Sequence, residues 1–357
     1  MEYFSPRGLC TGIGSLPHND PESAVRLIFQ TSKAIPHWPQ LPRLATAEGL
    51  VNQYLSPLTG FGLAVRERPE KSPYINTGKE DWPERLAAFY AAYLEVLDGV
   101  ETGYDQFSFP LESAAGFYAF IRHLETYGPG AARWLKGQIS GPITVGLQLT
   151  DQNGRSAYYD EQLRDLVIKS LSMQAAWQVK ALARFRLPVI IFIDEPALYA
   201  YGSSTHITLK KENLIDDINC IVEAVHSAGA LAGIHCCART DWSVLLESSA
   251  DIVSFDAYGY FDSLSLYNVE LGNFLSKGGT LAWGLVPVSE SVAHMNSADF
   301  VDLFRRQVYT LVSKSINYEL LNNQALITPS CGITNLSIPV AEKVYNLIAE
   351  IANCLLS

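Results

Sequence analysis

A histidine followed at once by two cysteines is the first feature of this sequence that could do chemistry, in GIHCCARTDW at residues 233–242. The chain has only seven histidines and six cysteines among its 357 residues. In an extended segment alternate side chains point the same way, so His235 and Cys237 share a face while Cys236 points away. An imidazole and a thiolate on one rigid face are ligands that zinc prefers. The stretch therefore predicts two ligands of a zinc site.

Two side chains elsewhere could complete this site. Cys331 lies in TPSCG after another β-rich run, and Asp256 lies in ADIVSFDAYGY after a third. Three firm ligands and one exchangeable position are typical of a catalytic zinc, whose chemistry would be to bind a substrate thiol and lower its pKa. Short His/Cys motifs also match by chance, and Asp256 could instead cap a helix or pair with Arg239. We predict zinc ligation by His235, Cys237 and Cys331, with Asp256 as the candidate oxygen ligand.

Other polar side chains also follow apolar runs. Ser15 ends GLCTGIGS, Glu112 lies in YDQFSFPLES, and Asp194 with Glu195 follows LPVIIFI. Two carboxylates at the end of a buried strand often serve a ligand. They could equally be structural caps, and Glu112 has the same ambiguity.

The elements that must position these residues recur along the chain. A short β-rich run, a polar or glycine-containing corner and a helix-length stretch follow one another repeatedly. We place the runs at residues 8–17, 104–113, 134–144, 187–198, 230–238, 250–260, 279–288 and 325–334. Eight apolar strands separated by helices predict a single α/β domain over 1–357, a (β/α)8 TIM barrel. A doubly wound sheet fits less well, because no G-x-G-x-x-G corner follows the first strand.

In such a barrel the active site forms at the carboxyl ends of the strands, where the candidate residues lie. The main irregularity is the stretch 35–80, which is rich in proline, glycine and aromatic residues. It predicts an insertion between strands one and two over one barrel mouth. A substrate lid and a dimer contact are both compatible with it.

The overall composition limits the classes of partner. A net charge of −11 argues against nucleic acid or an anionic membrane as the main partner. No apolar run reaches the roughly 18 residues that span a bilayer, and MEYFSPRGLC lacks the pattern of a secretory signal. Six scattered cysteines do not resemble a disulfide framework. We therefore expect a cytoplasmic globular protein.

Taken together, GIGSLP, ISGPIT, FIDEPAL, HCC and PSCG, in this order, resemble the zinc-containing catalytic barrel of cobalamin-independent methionine synthase. That family belongs to a superfamily with uroporphyrinogen decarboxylase and the corrinoid-dependent zinc methyltransferases. The resemblance implies zinc on His235, Cys237 and Cys331, with Asp256 where the family usually has a glutamate ligand. Each motif alone is weak, but the combination is specific.

The resemblance also implies a thiol substrate, homocysteine. Ile13 and Ser15 match the segment that holds its carboxylate, and Asp194 and Glu112 match carboxylates that bind its amino group.

Three departures from the family concern the methyl donor. Gln148 lies near the place of a tryptophan that stacks on methyl-folate, Tyr199 follows DEPAL where a carboxylate is expected, and Val286 is found near the place of a proton-donating histidine. The family enzyme also has two barrels, whereas this chain has the length of one. We therefore expect a single-barrel core methionine synthase whose donor is a methylcorrinoid, on a partner protein, rather than free methyl-folate.

Three alternatives remain open. A uroporphyrinogen-decarboxylase-like lyase would need arginines near the first strand, where Arg7 is the only one. A non-catalytic corrinoid- or thiol-binding protein would keep the pocket without turnover. A zinc methyltransferase could use another thiol such as coenzyme M, although Glu112 and Asp194 favour an amino acid.

Overall fold

Strands and helices alternate along the part of the chain that the computed structural model describes, residues 4–68 and 71–356. The strands are β1 (Ala64–Val65), β2 (Tyr74–Ile75), β3 (Leu135–Ser140), β4 (Val189–Asp194), β5 (Leu231–Cys236), β6 (Ile252–Phe255), β7 (Thr280–Val286) and β8 (Ala325–Pro329). The α-helices are α1 (Pro21–Thr31), α2 (Ser56–Gly60), α3 (Trp82–Leu97), α4 (Ala115–Tyr127), α5 (Pro142–Gln148), α6 (Glu161–Ala183), α7 (Lys211–Ser227), α8 (Ser243–Leu246), α9 (Ala257–Leu264), α10 (Asn268–Ser276), α11 (Ser297–Ser313), α12 (Tyr318–Asn323) and α13 (Ile338–Leu356). Short 3-10 helices occupy Thr46–Glu48, Asn52–Leu55, Glu101–Phe107, Leu111–Ser113, Ala157–Tyr159, Pro196–Ala200, Ser204–His206 and Glu290–His294.

The strands β3 to β8 form one curved parallel sheet in which each strand is hydrogen-bonded to the next in chain order. Two irregular segments continue the wall beyond the edges of this sheet: the first wall segment, residues 10–15, and the second wall segment, residues 36–40. They join the sheet and each other through single parallel bridges. These bridges pair Cys10 with Ile327, His37 with Lys136, and Ser15 with Gln40. Eight chain segments therefore surround the interior, which is the predicted barrel arrangement.

The second wall segment is not where the sequence predicted it. Residues 104–113 lie in the 3-10 helices Glu101–Phe107 and Leu111–Ser113 rather than in a strand. Their alternating phenylalanines pack in the outer core, where the Phe109 ring lies 5.1 Å from that of Trp177. The segment beside β3 is residues 36–40, at the start of the predicted insertion. Its two prolines carry no N–H to donate to a ladder, so this run has little strand signal in the sequence.

The long insertion therefore begins after Gln40 rather than at residue 35. It contains the antiparallel pair β1–β2 and contacts the carboxyl half of β3. The Tyr54 hydroxyl donates to the Gln138 carbonyl at 3.2 Å, and the Ser140 hydroxyl donates to the Leu50 carbonyl. The segment around residues 50–54 thus lies beside the carboxyl end of a barrel strand.

The strands are buried on both faces, which explains their continuous apolar runs. The barrel interior holds a small core, and a much larger core lies between the strands and the surrounding helices. The small core contains Phe4, Ile13, Ile35, Ile190, Phe192, Ile252, Ala282 and Leu326. Across the described residues, no helix combines the length and apolarity needed to cross a membrane.

Candidate metal centre

Three predicted ligands meet at the carboxyl ends of the barrel strands. The ligand atoms of His235, Cys237 and Cys331 all lie within 4.8 Å of one another. His235 is in β5 and Cys237 directly follows it, whereas Cys331 follows β8 on the far side of the sheet order. The two sulfurs are 2.9 Å apart although 94 residues separate them in the chain. Closure of the barrel therefore assembles the cluster.

The ring of His235 is oriented for a ligand. Its Nδ1 is 2.9 Å from the Ser254 hydroxyl on the neighbouring strand β6. Its Nε2 is buried and has no hydrogen-bond partner. A buried polar atom without a partner needs an explanation, and a metal-bound histidine commonly bonds a second group through its other nitrogen. The donor set and this free nitrogen fit a bound zinc ion.

Cys236 points to the opposite face of the strand. It belongs to the outer core, and its thiol lies 3.6 Å from the Ala238 carbonyl. Burial raises the pKa of this thiol to about 12. Cys236 is therefore a buried structural thiol, in contrast to its neighbour Cys237.

Asp256 is not brought into the cluster. It caps helix α9, and its Oδ1 accepts a hydrogen bond of 2.7 Å from the Gly259 amide. Burial raises its pKa, while this hydrogen bond and the nearby His235 oppose the shift. Among the described residues, the group that could hold a metal ion consists of one imidazole and two thiols.

Asp194, the last residue of β4, and Glu195, which follows it, lie in different surroundings. Asp194 lies opposite His235 in the sheet register and is buried, and its Oδ1 has no hydrogen-bond partner. Burial raises its pKa, and the charges of His235 and Lys136 oppose that shift. Its position beside His235 makes it a candidate to bind a substrate cation.

Glu195 is instead a structural cap. Its carboxylate accepts hydrogen bonds from the Ile143 amide at 2.8 Å, and from the Thr144 amide and hydroxyl at 2.9 and 2.7 Å. These groups form the start of α5. Burial raises the pKa of Glu195 to about 8, although the three hydrogen bonds favour its charged form. The carboxylate therefore anchors α5 to the end of β4.

The predicted carboxylate-binding segment lies next to the cluster. A methyl group built on Gly332 would come within 2.2 Å of the Ser15 hydroxyl oxygen, so Ser15 directly adjoins the residue after Cys331. The Ser15 carbonyl accepts a hydrogen bond of 3.0 Å from the Ile333 amide. Ile13, two residues earlier, belongs to the interior core. The structure thus brings Ser15 beside Cys331.

Glu112 does not lie where the sequence predicted it, and a different glutamate, Glu48, is buried nearby in the chain's insertion. Glu112 is exposed in a 3-10 helix and does not end a strand. Glu48 is buried: its Oε1 accepts from the Ala115 amide at 3.0 Å, and its Oε2 has no partner. Burial raises the pKa of Glu48. Sequence reasoning did not single out Glu48, because it lies within the insertion and follows no strand-like run.

Comparisons with known proteins address the fold. A solved structure described as a B12-independent methionine synthase from Shewanella sp. W3-18-1, in complex with selenomethionine, aligns with a TM-score of 0.56 and 15% identity over 98% of this chain and 97% of that one. The fold is a TIM barrel. A Cellulomonas fimi endo-beta-1,4-mannanase double mutant aligns at 13% identity and a TM-score of 0.33, over 67% of this chain and 57% of that chain. No model of a protein family and no curated protein sequence matches this barrel.

Proposed function

We propose that this protein is a zinc-dependent methyltransferase that methylates a small thiol, homocysteine, to give methionine. The observation that carries the proposal is the group His235, Cys237 and Cys331 with the unpartnered His235 Nε2. The barrel likeness to a structure described as a methionine synthase is consistent with it. Bound to these three residues, zinc would lower the pKa of a substrate thiol and make a thiolate available near neutral pH.

The protein's own residues would bind and orient the thiol substrate. We assign its amino group to Asp194, whose buried Oδ1 lacks a partner. Ser15 and the backbone at Ile13 would hold the carboxylate. Fixing both ends of the substrate directs its sulfur toward the cluster and lowers the entropy cost of the reaction.

For the methyl donor we propose a methylcorrinoid carried by a partner protein. Val286 is buried at the end of β7 and has no proton to donate, while Gln148 is exposed. Tyr199 is 65% exposed in the 3-10 helix after β4, where a carboxylate would be expected for a folate. Transfer of a methyl group from cobalt releases no pterin and therefore needs no proton donor. The residues at positions 286, 148 and 199 are compatible with such a donor.

The proposal is tested by metal content and by a donor screen. We expect wild-type protein to hold an equimolar amount of zinc, and to form methionine from homocysteine and methylcobalamin but not from methyl-folates. Cys237→Ser and Cys331→Ser should lose zinc and activity together, because each removes a thiolate ligand. Cys236→Ser is the matched control, since this thiol faces the outer core, and it should keep both.

Full activity in both ligand variants would contradict the proposal. Methylation of coenzyme M in preference to homocysteine would overturn the assignment of the substrate, but it would not contradict the proposed zinc site. Homocysteine binding without turnover, across every donor tried, would indicate a thiol-binding protein instead.

A further inference from the structure

Gln138 is a residue of β3 that the proposed reaction does not use, and its side chain is fully buried. Its Nε2 donates a hydrogen bond of 3.1 Å to the Trp38 carbonyl, a group that can only accept. This bond fixes the orientation of the amide, with Oε1 on the other side. No group in the described part of the chain donates to this oxygen. A buried acceptor without a partner needs an explanation, and a ligand with an N–H donor would supply one.

The side chain of Gln138 faces the barrel interior. Successive residues of a strand point to opposite faces, and a methyl group built on the preceding Gly137 would lie 3.2 Å from the indole nitrogen of Trp38, in the outer core. Lys136, two residues before Gln138, lies over the ring of Phe192 in the interior core. Gln138 shares this face, so its unpartnered oxygen lies inside the barrel rather than against the surrounding helices.

The Gln138 amide lies between the two proposed ends of the substrate site. A methyl group built on Gly14 would come within 2.9 Å of Gln138 Cδ, so the amide packs directly on the first wall segment next to Ser15. On its other side, Gln138 pairs in the sheet register with Phe192, which precedes Asp194 by two residues on β4. Phe192 and Asp194 point to the same interior face. An amino group bound by Asp194 would therefore lie near this amide.

We propose that Gln138 is a specificity-determining residue of the substrate site, whose Oε1 accepts a hydrogen bond from the amino group of an amino-acid thiol. The inference rests on the proposed function. An ammonium group has three N–H donors, so Asp194 and Gln138 can accept from it together. A thiol without an amino group leaves the buried Oε1 without a partner, and a site built to bind a polar group rejects analogues that lack it. Coenzyme M, which has no amino group, would be rejected for this reason.

The proposal is tested by calorimetric binding of homocysteine and of 4-mercaptobutanoate, the same thiol acid without the amino group, to the zinc-loaded protein. Gln138→Met fills a similar volume but has no oxygen acceptor. We expect it to weaken homocysteine binding about 10- to 100-fold, the scale of one hydrogen bond to a charged group. Binding of 4-mercaptobutanoate should change by less than about threefold. Zinc content should stay the same, because Gln138 is not in the His/Cys group.

An equal change in the binding of both thiols would overturn the proposal and indicate a purely structural amide. The matched control is Gln324→Met. Gln324 is also buried, its Nε2 donates to the Leu275 carbonyl at 3.0 Å, and its Oε1 has no partner among the described residues. It directly precedes β8 and therefore lies at the amino end of the barrel, away from the candidate site. Gln324→Met should leave the affinity for both thiols unchanged, and a selective loss of homocysteine binding there would contradict the assignment to Gln138.

Gln138→Glu keeps the length of the side chain and replaces the methionine variant if that variant does not fold. A carboxyl group presents an oxygen to a donor in either ionisation state, so we expect the preference for homocysteine over 4-mercaptobutanoate to persist. Loss of this preference would contradict the role of Oε1. A wild-type protein that binds neither thiol would contradict the proposed function and this inference with it, whereas wild-type binding without a preference would contradict the inference alone.

Discussion

At the scale of single residues, neighbours in the sequence have separate tasks because a strand presents them to opposite faces. Cys237 joins the candidate metal-binding group of His235, Cys237 and Cys331, while Cys236 packs in the outer core. Asp194 faces the barrel interior while Glu195 anchors α5 through three hydrogen bonds. The two residues of each pair have the same kind of side chain, two thiols or two carboxylates. They differ only because successive side chains of a strand point to opposite faces.

The hydroxyl of Ser254 should determine how tightly zinc binds. It lies 2.9 Å from His235 Nδ1 and thereby holds the ring with Nε2 free. We expect Ser254→Ala to weaken zinc binding about 10- to 100-fold, as removal of such supporting groups typically does. Competition with a chromophoric chelator measures the affinity. The control is Ser170→Ala, at a buried serine of α6, and an unchanged affinity in Ser254→Ala would contradict this role.

At the scale of elements, irregular segments close the barrel where regular strands are absent. A methyl group on Gly12 would come within 2.1 Å of the Tyr345 hydroxyl and 2.3 Å of His37 Nε2. These two groups are hydrogen-bonded to each other at 2.7 Å. The glycine therefore lets the first wall segment, the second wall segment and α13 approach closely. Such contacts replace the ladder hydrogen bonds that the prolines of residues 36–40 cannot make.

The contact between α7 and the turn before β6 should make stability depend on pH. His226 Nε2 lies 2.8 Å from Asp251 Oδ2, and this hydrogen bond raises the pKa of His226 above its ordinary value of 6.5. A raised histidine pKa stabilises the fold fully below the unfolded value, and the contribution is lost as the pH rises through the folded value.

Replacing this histidine should therefore cost more stability at acidic pH. We expect His226→Gln to lower the free energy of unfolding by about 0.5 kcal/mol more at pH 6 than at pH 8.5, a small effect because the pair is partly exposed. Denaturant unfolding at both pH values measures the difference from wild type. His294→Gln, at an exposed histidine of another element, should show no such difference, and a pH-independent cost for His226→Gln would contradict the pair.

At the scale of the whole molecule, the candidate metal-binding group connects parts of the chain that are far apart in sequence. His235 and Cys237 lie at the end of β5 and Cys331 lies after β8, so a bound ion would hold the two sides of the curved sheet together. The Lys136 side chain similarly connects β3 with the first wall segment through the Ile13 carbonyl. Both the His/Cys group and the Lys136 hydrogen bond lie at or near the barrel interior, where few other polar groups are available as partners.

Zinc should consequently stabilise the whole fold. A ligand that binds only the folded state adds about 2.7 kcal/mol when its free concentration is about 100 times its Kd. We expect the Tm of metal-free protein to rise with added zinc, and that of Cys331→Ser to respond far less. Magnesium, which prefers oxygen ligands, serves as the control ion. A Tm that does not depend on zinc would contradict the site.

The sequence by itself was enough to predict the TIM barrel and the residues from which a metal site could be built. Strands buried on both faces leave continuous apolar runs, and the alternation of a strand separates Cys237 from Cys236 whatever the surroundings. These properties are local, so they can be read from neighbouring residues. The six strands of the parallel sheet lie where such runs were found.

Only the tertiary structure decided which distant residues meet. The 2.9 Å approach of Cys331 to Cys237 and the burial of Glu48 against the Ala115 amide depend on how segments far apart in the chain pack together. Residues 36–40 enter the wall although their prolines suppress the strand pattern, because contacts with β3 and α13 hold them there. Long-range packing of this kind has no signature in a short stretch of sequence, since each partner lies on another element.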